Sequence, residues 1–271
     1  MQTPPALTDR NALSRNRARA LRAPAFFLRD SVVAEMQERL IEVNRTFTAP
    51  AIVTPFPDLW HDVLPDARIV SDTPVLELEA GAHDLVIHDL CLHWADDPIG
   101  QMVQARHALR PDGLFLATMF GGQTLQELRR ALAEAETQVT GGLSPRVAPM
   151  AEIREAGALL QRAGLALPVA DATDYTVTYA DIFALMRDLR AMGESNALAQ
   201  RLRRPTARAV MAAAASLYAT HFSDPDGRIR ATFEIVTLTG WAPAPNQQQP
   251  LRPGSAKARL ADALRVPELP I

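Results

Sequence analysis

The sequence predicts an α/β protein built on a doubly wound sheet, with an N-terminal helical segment and a helical insertion before the last strand. Three observations carry this. Leu85-Val86-Ile87 is an unbroken apolar run of the kind required by a strand buried on both faces of a parallel sheet. Helical spacing follows from Ile99 to Leu109, and after a turn a second apolar run spans Leu114 to Phe120, so strand, helix and strand read as one parallel βαβ unit. Thr232 to Trp241 alternates β-branched and aromatic residues and is the clearest strand by propensity alone.

From the N-terminus, apolar residues between Asn11 and Val43 recur mostly three and four apart, and Pro24 interrupts them. Two consecutive helices are expected. Ala51-Ile52-Val53 is a short strand stopped by Thr54-Pro55-Phe56-Pro57, and Ala67 to Val70 is another that ends at Asp72. Arg110-Pro111-Asp112-Gly113 is a turn in which proline fixes φ and glycine is free to take a positive one. Thr124 is placed to cap a helix running to about Gln138, and Met150 to Ala163 is helical again, with Gly164 ending it. Leu165 to Tyr179 has strand character broken near Asp171 to Asp174. Asp181 to Met192 and Pro205 to Phe222 are helical, and Gly227 opens a loop before the last strand. A final helical turn is expected over Ala256 to Leu264.

Composition narrows the function classes. A chain of 271 residues, 48% hydrophobic and 22% charged, suits one large domain or a domain with an insertion. Net charge is −3, so nothing draws the whole chain toward nucleic acid or anionic lipid, and a small molecule or a protein is the expected partner. No apolar window approaches membrane-spanning length, and a soluble chain is expected. The single cysteine, Cys91, precludes an intrachain disulfide and a cysteine-based metal site; it is expected as a small apolar residue in a core strand. The early arginines Arg10, Arg15, Arg17, Arg19 and Arg22 imitate a transit peptide, but Asp9 and Pro4-Pro5 fit one poorly.

The wording of the βαβ unit is more specific than its pattern. Asp84-Leu85-Val86-Ile87-His88, Leu92-His93-Trp94, Ala108 to Gly113 and Leu114-Phe115-Leu116-Ala117 resemble strands four and five, with their connection, of class I S-adenosylmethionine-dependent methyltransferases. Further segments resemble the methyltransferase-like family of respiratory complex I assembly factor 5 and its bacterial relatives. They include Arg15-Asn16-Arg17-Ala18, Val43 to Phe47, Gly121 to Arg129, Ser144 to Pro149, Leu185 to Gly193, and Thr232 to Ile235 with Gly240-Trp241. The resemblance spans nearly the whole chain. It implies a Rossmann-like class I methyltransferase fold shortened in its first half.

The resemblance also says where S-adenosylmethionine would sit, and the residues there depart from the pattern. A cofactor site in this fold needs a glycine-rich turn after the first strand, so that the backbone can approach the ligand without Cβ interference. Here the turn is Thr54-Pro55-Phe56-Pro57-Asp58-Leu59-Trp60, without glycine. An acid at the end of strand two should accept from the ribose hydroxyls. Only about 30 residues separate Ala51 from Asp84, too few for two further strands with their helices. Asp72 is the one acid at a strand end; it closes either strand three, with most of strand two missing, or strand two, with strand three missing, or it is a plain turn residue.

His88 and Asp89 follow the fourth strand at the carboxyl edge, where ligands bind in such sheets. Each either lines a pocket or makes local hydrogen bonds. His93 has the same two readings, and Trp94 either walls the pocket or anchors the next helix. Asp72, His88, Asp89 and His93 are therefore the candidate cofactor-binding residues; no catalytic residue is identified, and no histidine spacing suggests a metal. The basic run Arg201, Arg203, Arg204 and Arg208 reads as a solvated face or as a surface for an acidic protein.

The expected organisation is an N-terminal helical extension over 1–48, a methyltransferase-like Rossmann domain over 49–178 and 228–245, a helical cap insertion over 179–227 and an irregular tail over 246–271. The expected function is that of a methyltransferase-like protein using S-adenosylmethionine, with lost or altered cofactor binding. The resemblance offers two alternatives: a non-catalytic assembly factor binding a respiratory complex I subunit, and a protein arginine hydroxylase. A carrier-protein methyltransferase of the biotin pathway shares the general wording but fits the later segments less well. A bacterial-type cytoplasmic location is expected, with the mitochondrial matrix as the alternative.

Overall fold

The computed structural model describes residues 6–247; the helical turn expected over Ala256 to Leu264 lies outside them. The first helix, α1 (Arg10–Ala20), is started by Asp9, whose side chain accepts from the Ala12 N–H. It gives way before Pro24 to α2 (Phe27–Val43), which ends on Asn44 in the left-handed conformation at φ 51.

Six strands follow: β1 (Pro50–Val53), β2 (Arg68–Val70), β3 (His83–His88), β4 (Leu109–Phe120), β5 (Ala166–Tyr179) and β6 (Ile229–Trp241). They form one sheet in the order β2-β1-β3-β4-β6-β5. The first four run parallel, and β6 is antiparallel to both β4 and β5. Helices α3 (Pro98–Ala108), α4 (Gln126–Thr140), α5 (Ile153–Arg162), α6 (Ile182–Ala191) and α7 (Arg208–Phe222) complete the fold, the last two falling between β5 and β6.

Strand alternation sorts the core into two layers. Ile52, Leu85, Ile87, Leu114 and Leu116 point to the face covered by α2, α4, α6 and α7. Their neighbours Ala51, Val53, Val86, Phe115 and Ala117 point to the face covered by α3 and α5. A period of two along each strand, with helices on both sides, is why the central runs read as continuously apolar.

The ambiguity at Asp72 is resolved by topology. In a doubly wound sheet ordered 3-2-1-4-5, the strand beside the first and away from the fourth is the second. β2 pairs with β1 on that side, Ile52 against Ile69, so Asp72 follows a strand in the second position. Among the described residues no strand lies beyond it.

Several local expectations are corrected. Thr124 does not cap α4: its hydroxyl donates to the Glu234 carbonyl and accepts from the Glu234 N–H, so it is spent clasping β6, and Leu125 in a left-handed turn precedes the helix. The turn expected over Arg110 to Gly113 is instead an irregularity inside β4, where pairing with β3 jumps from His83–Leu109 to Leu85–Leu114; Asp112 takes the positive φ, 62, and Gly113 is needed for space, since a Cβ there would lie 2.9 Å from Leu109. β5 runs unbroken through Asp171 to Asp174, because β6 pairs with it there residue for residue and Arg39 of α2 ion-pairs with Asp171; its irregularity lies at Ala166 to Val169, where Leu167 has φ 49. The helix expected from Met150 starts at Ile153. Cys91 is buried as expected, but in the loop after β3 and not in a strand.

Candidate functional site

Parallel pairing in register brings the ends of three strands to one line, with Val53 opposite both Val70 and His88. Thr54, Asp72 and Asp89 therefore emerge together at the carboxyl edge, the place where ligands bind in doubly wound sheets. The turn after β1 is closed by its own side chains. Thr54 Oγ1 accepts from the Phe56 N–H at 3.1 Å and donates to Asp89 Oδ2 at 2.6 Å. Trp60 Nε1 donates to the same oxygen at 3.2 Å. Phe56 and Trp60 are 2% and 0% exposed, so aromatic rings occupy the space at this turn that a glycine loop would leave open.

The N-terminal helices send three arginines into the same edge. Arg17 Nη1 lies 2.7 Å from Asp72 Oδ1, and Arg10 approaches Asp72 Oδ2 at 3.3 Å. Arg17 and Phe56 both close on Gly193, where an added Cβ would lie 3.3 Å from each. Arg29 Nη1 donates to Asp89 Oδ2 at 3.2 Å, its Nη2 donates to the Leu90 carbonyl at 3.0 Å and reaches Glu194 at 3.4 Å, and its guanidinium stacks 4.7 Å over Phe56. Arg10, Arg17 and Arg29 thus face Asp72, Asp89 and Glu194 in a buried network of opposite charges. Nε and Nη2 of Arg17, Oδ2 of Asp72 and Oδ1 of Asp89 have no hydrogen-bond partner among the protein groups.

His88 is fully buried, with Nε2 2.6 Å from Gln101 Oε1 and Nδ1 3.4 Å from Cys91 Sγ. Burial holds its imidazole below the ordinary range and pushes the Cys91 thiol well up, so neither is charged at neutral pH. His93 accepts from the Phe120 N–H at Nδ1 and meets Glu194 through Nε2 at 3.3 Å. Glu194 also accepts from Trp94 Nε1 at 2.7 Å. Burial works to raise the Glu194 carboxyl, but the hydrogen bond from His93 and the charges of Arg29 and Arg17 bring it down to about 2.

Beyond Trp94 the edge opens. A cavity of about 270 Å³ lies between Trp94, Phe120 and Phe233 on the sheet side, Leu128 and Leu132 of α4, and Met186 of α6. Glu194 reaches its inner end, and Arg146 enters its wall in an ion pair with Glu136 and a hydrogen bond to Thr206. Trp94 walls this cleft, and the cluster it packs in, with Ala12, Leu13, Ala197 and Leu198, belongs to α1 and the segment after α6 and not, as expected, to the helix that follows it.

Of the four candidate residues, Asp72 and Asp89 lie in the arginine network, His93 joins it through Glu194, and His88 points instead to Gln101 and Cys91. Sequence reasoning did not single out Arg17, Arg29 or Glu194 as site residues. A signal existed for the arginines: Arg17 follows Leu13 by four residues, and Arg29 precedes Val32 and Val33 by three and four, so each sits on the inward face of its helix. Arg201 and Arg203 of the basic run pair with Asp9 and tie the start of α1 to the segment after α6.

Four parallel strands, helices on both faces and an antiparallel strand inserted beside β4 define a class I methyltransferase-like Rossmann fold, and the chain is related to proteins of that family. No family model matches the chain. It is similar to the mitochondrial arginine-hydroxylase NDUFAF5 of Rattus norvegicus, at 39% identity over 206 residues, which is 75% of this chain and 59% of that protein. It is also similar to the Dictyostelium discoideum protein of the same name, at 40% over 68% of this chain and 42% of the relative. The malonyl-[acyl-carrier protein] O-methyltransferase of Xylella fastidiosa is 36% identical over 66% of this chain and 58% of its own length. The chain spans between 42% and 64% of the length of the arginine-hydroxylase relatives it matches. Among solved structures, YcgJ of Bacillus subtilis superposes with a TM-score of 0.48 at 10% identity, covering 78% of this chain and 99% of the other. The 1,6-didemethyltoxoflavin-N1-methyltransferase of Burkholderia thailandensis gives 0.42 at 13%, covering 89% and 93%. Among the described residues no helix is long and apolar enough to cross a membrane.

Proposed function

We propose that this chain is a methyltransferase-like protein that does not hold S-adenosylmethionine and acts by binding a partner protein. The observation that carries this is Arg17 on Asp72. The second-strand acid, which would accept from the cofactor's ribose hydroxyls, accepts instead from a buried guanidinium of the chain's own first helix at 2.7 Å. Phe56 and Trp60 fill the turn above it. The residues present do not fit the cofactor, because entry would require moving aromatic side chains and leaving Arg17 buried without its carboxylate.

On this reading Asp72, Asp89 and His93 hold the edge together, His88 packs behind it against Gln101 and Cys91, residues 1–48 supply the arginines that close it, and residues 179–227 cap the remaining cleft. The partner that the family resemblance implies is a respiratory complex I subunit, and the implied location is a bacterial-type cytoplasm. Methyl transfer is the reading favoured by the malonyl-carrier relatives, which are named as methyltransferases. Arginine hydroxylation, the activity in the name of the mitochondrial relatives, has no residue here that the geometry assigns to it.

Calorimetric titration of the purified protein with S-adenosylmethionine tests the proposal. No saturable heat is expected, together with retention of a complex I subunit in a pull-down. Saturable micromolar binding would sink it and restore the methyltransferase reading.

A further inference from the structure

The cleft behind Trp94 and Phe120 takes no part in closing the strand edge, yet its surroundings are chemically specific. Its floor is apolar, but the helices and loop that build it also carry large apolar side chains facing outward. Val139 at the end of α4, Leu143 in the loop leading to Arg146, and Phe183 on α6 are 42%, 70% and 44% exposed. The elements that build the cleft thus also expose apolar side chains outside it, which suits a polypeptide better than a small enclosed ligand.

Glu194 lines the cleft, and Glu136 and Asp188 lie on its helices α4 and α6; each accepts from a neighbour: Glu136 from Arg146, Asp188 from the Tyr179 hydroxyl, and Glu194 from Trp94 with His93 and Arg29. Arg187 and Arg190 on α6, and Arg204 and Arg208 on either side of the lining residue Thr206, are exposed and form no ion pair among the described residues. A chain of net charge −3 therefore presents a locally basic rim around an apolar pocket.

We propose that this cleft is the docking site for an acidic segment of a partner protein, anchored by one or two bulky apolar side chains in the cavity and flanked by carboxylates that meet Arg187, Arg190, Arg204 and Arg208. A volume of about 270 Å³ admits side chains of that size but not a folded element. Buried apolar anchors supply most of the affinity, and the rim arginines supply orientation and salt-sensitive steering. The inference rests on the partner-binding reading and names the chemistry of the partner.

The test is fluorescence anisotropy of the full chain with a short labelled peptide carrying Phe and Leu between glutamate runs, and with its counterpart in which lysines replace the glutamates. The acidic peptide should bind at least about tenfold more tightly, with an advantage that falls as salt rises. The triple change Arg190→Glu, Arg204→Glu and Arg208→Glu, all at exposed positions, should reverse the preference. Met186→Trp, which fills the cavity, should weaken both peptides while the circular dichroism spectrum is kept. Equal binding of the two peptides, binding of neither, or indifference to the rim change overturns the inference. If that happens while the complex I subunit is still retained in a pull-down, the partner-binding reading stands and only its location is wrong; saturable S-adenosylmethionine binding overturns the reading itself whatever the peptides do.

Discussion

Between β1 and β3 the carboxyl edge of the sheet is packed shut with ionised side chains, whereas beyond Trp94 the same edge opens into an apolar cleft. The strands differ in the same sense. β1 and β2 are 4 and 3 residues long, while β4, β5 and β6 run to 12, 14 and 13. Short strands leave little apolar area to fix the first half, and Arg17 and Arg29 bridge it to the N-terminal helices instead. The comparison teaches that one scaffold keeps two positions independently: one filled from within, the other left open.

The contrast predicts that the filled edge is sensitive to the loss of single groups. Asp89→Ala should have the largest effect, because it strands Arg29, the Thr54 hydroxyl and the Trp60 indole at once in a fully buried place. A loss of about 3–5 kcal/mol is expected, read as a lower urea midpoint at unchanged slope. A change below about 1 kcal/mol would mean that the edge is not the closed network described.

Next in size, Arg17→Met should cost about 2–3 kcal/mol, since Arg10 remains to offset Asp72 only partly. Combining it with Asp72→Leu should recover most of that loss, because replacing both members of a buried pair by apolar groups is commonly near neutral. Additive losses in the double-mutant cycle would show that the pair is not a closed unit.

The smallest effect is expected at Glu194, which belongs to both regions. Its carboxyl sits near 2 in the fold against an ordinary 4.5, so the folded state holds that proton less tightly than the unfolded chain. Its contribution is therefore complete above about pH 4.5 and is lost as the pH falls toward 2. Glu194→Gln should lower Tm at neutral pH by an amount equivalent to about 1–2 kcal/mol, and the gap from the unaltered protein should shrink as pH is lowered through that window. Because Glu136 titrates near 2 as well, the comparison must be between the two proteins and not along one acid limb. A gap that stays constant would place the effect in packing and not in charge.

Much of the fold was legible because each element announces itself locally. Pro24 separates α1 from α2, the apolar runs around Val86 and Leu116 mark β3 and β4, and Gly164 at φ 76 ends α5. Thr124 misled because its hydroxyl has a partner 110 residues away in β6. Asp171 to Asp174 misled because polar residues facing Arg39 and solvent on an edge strand imitate a break.

The sequence by itself determined the class of fold, the apolar runs that stop near Thr54, Asp72 and Asp89, and the absence of a glycine where a cofactor needs space. Those are matters of short-range pattern and residue size. Only the tertiary structure decided that β2 is the second strand, that Arg17 and Arg29 fill the edge, and that an apolar cleft survives beside Trp94. The first rests on which side of β1 the short β2 pairs; the arginine edge depends on side chains from residues 55 to 165 positions apart meeting in one buried place, where unpaired charge is costly and pairing is settled by the packing of helices and not by any local signal.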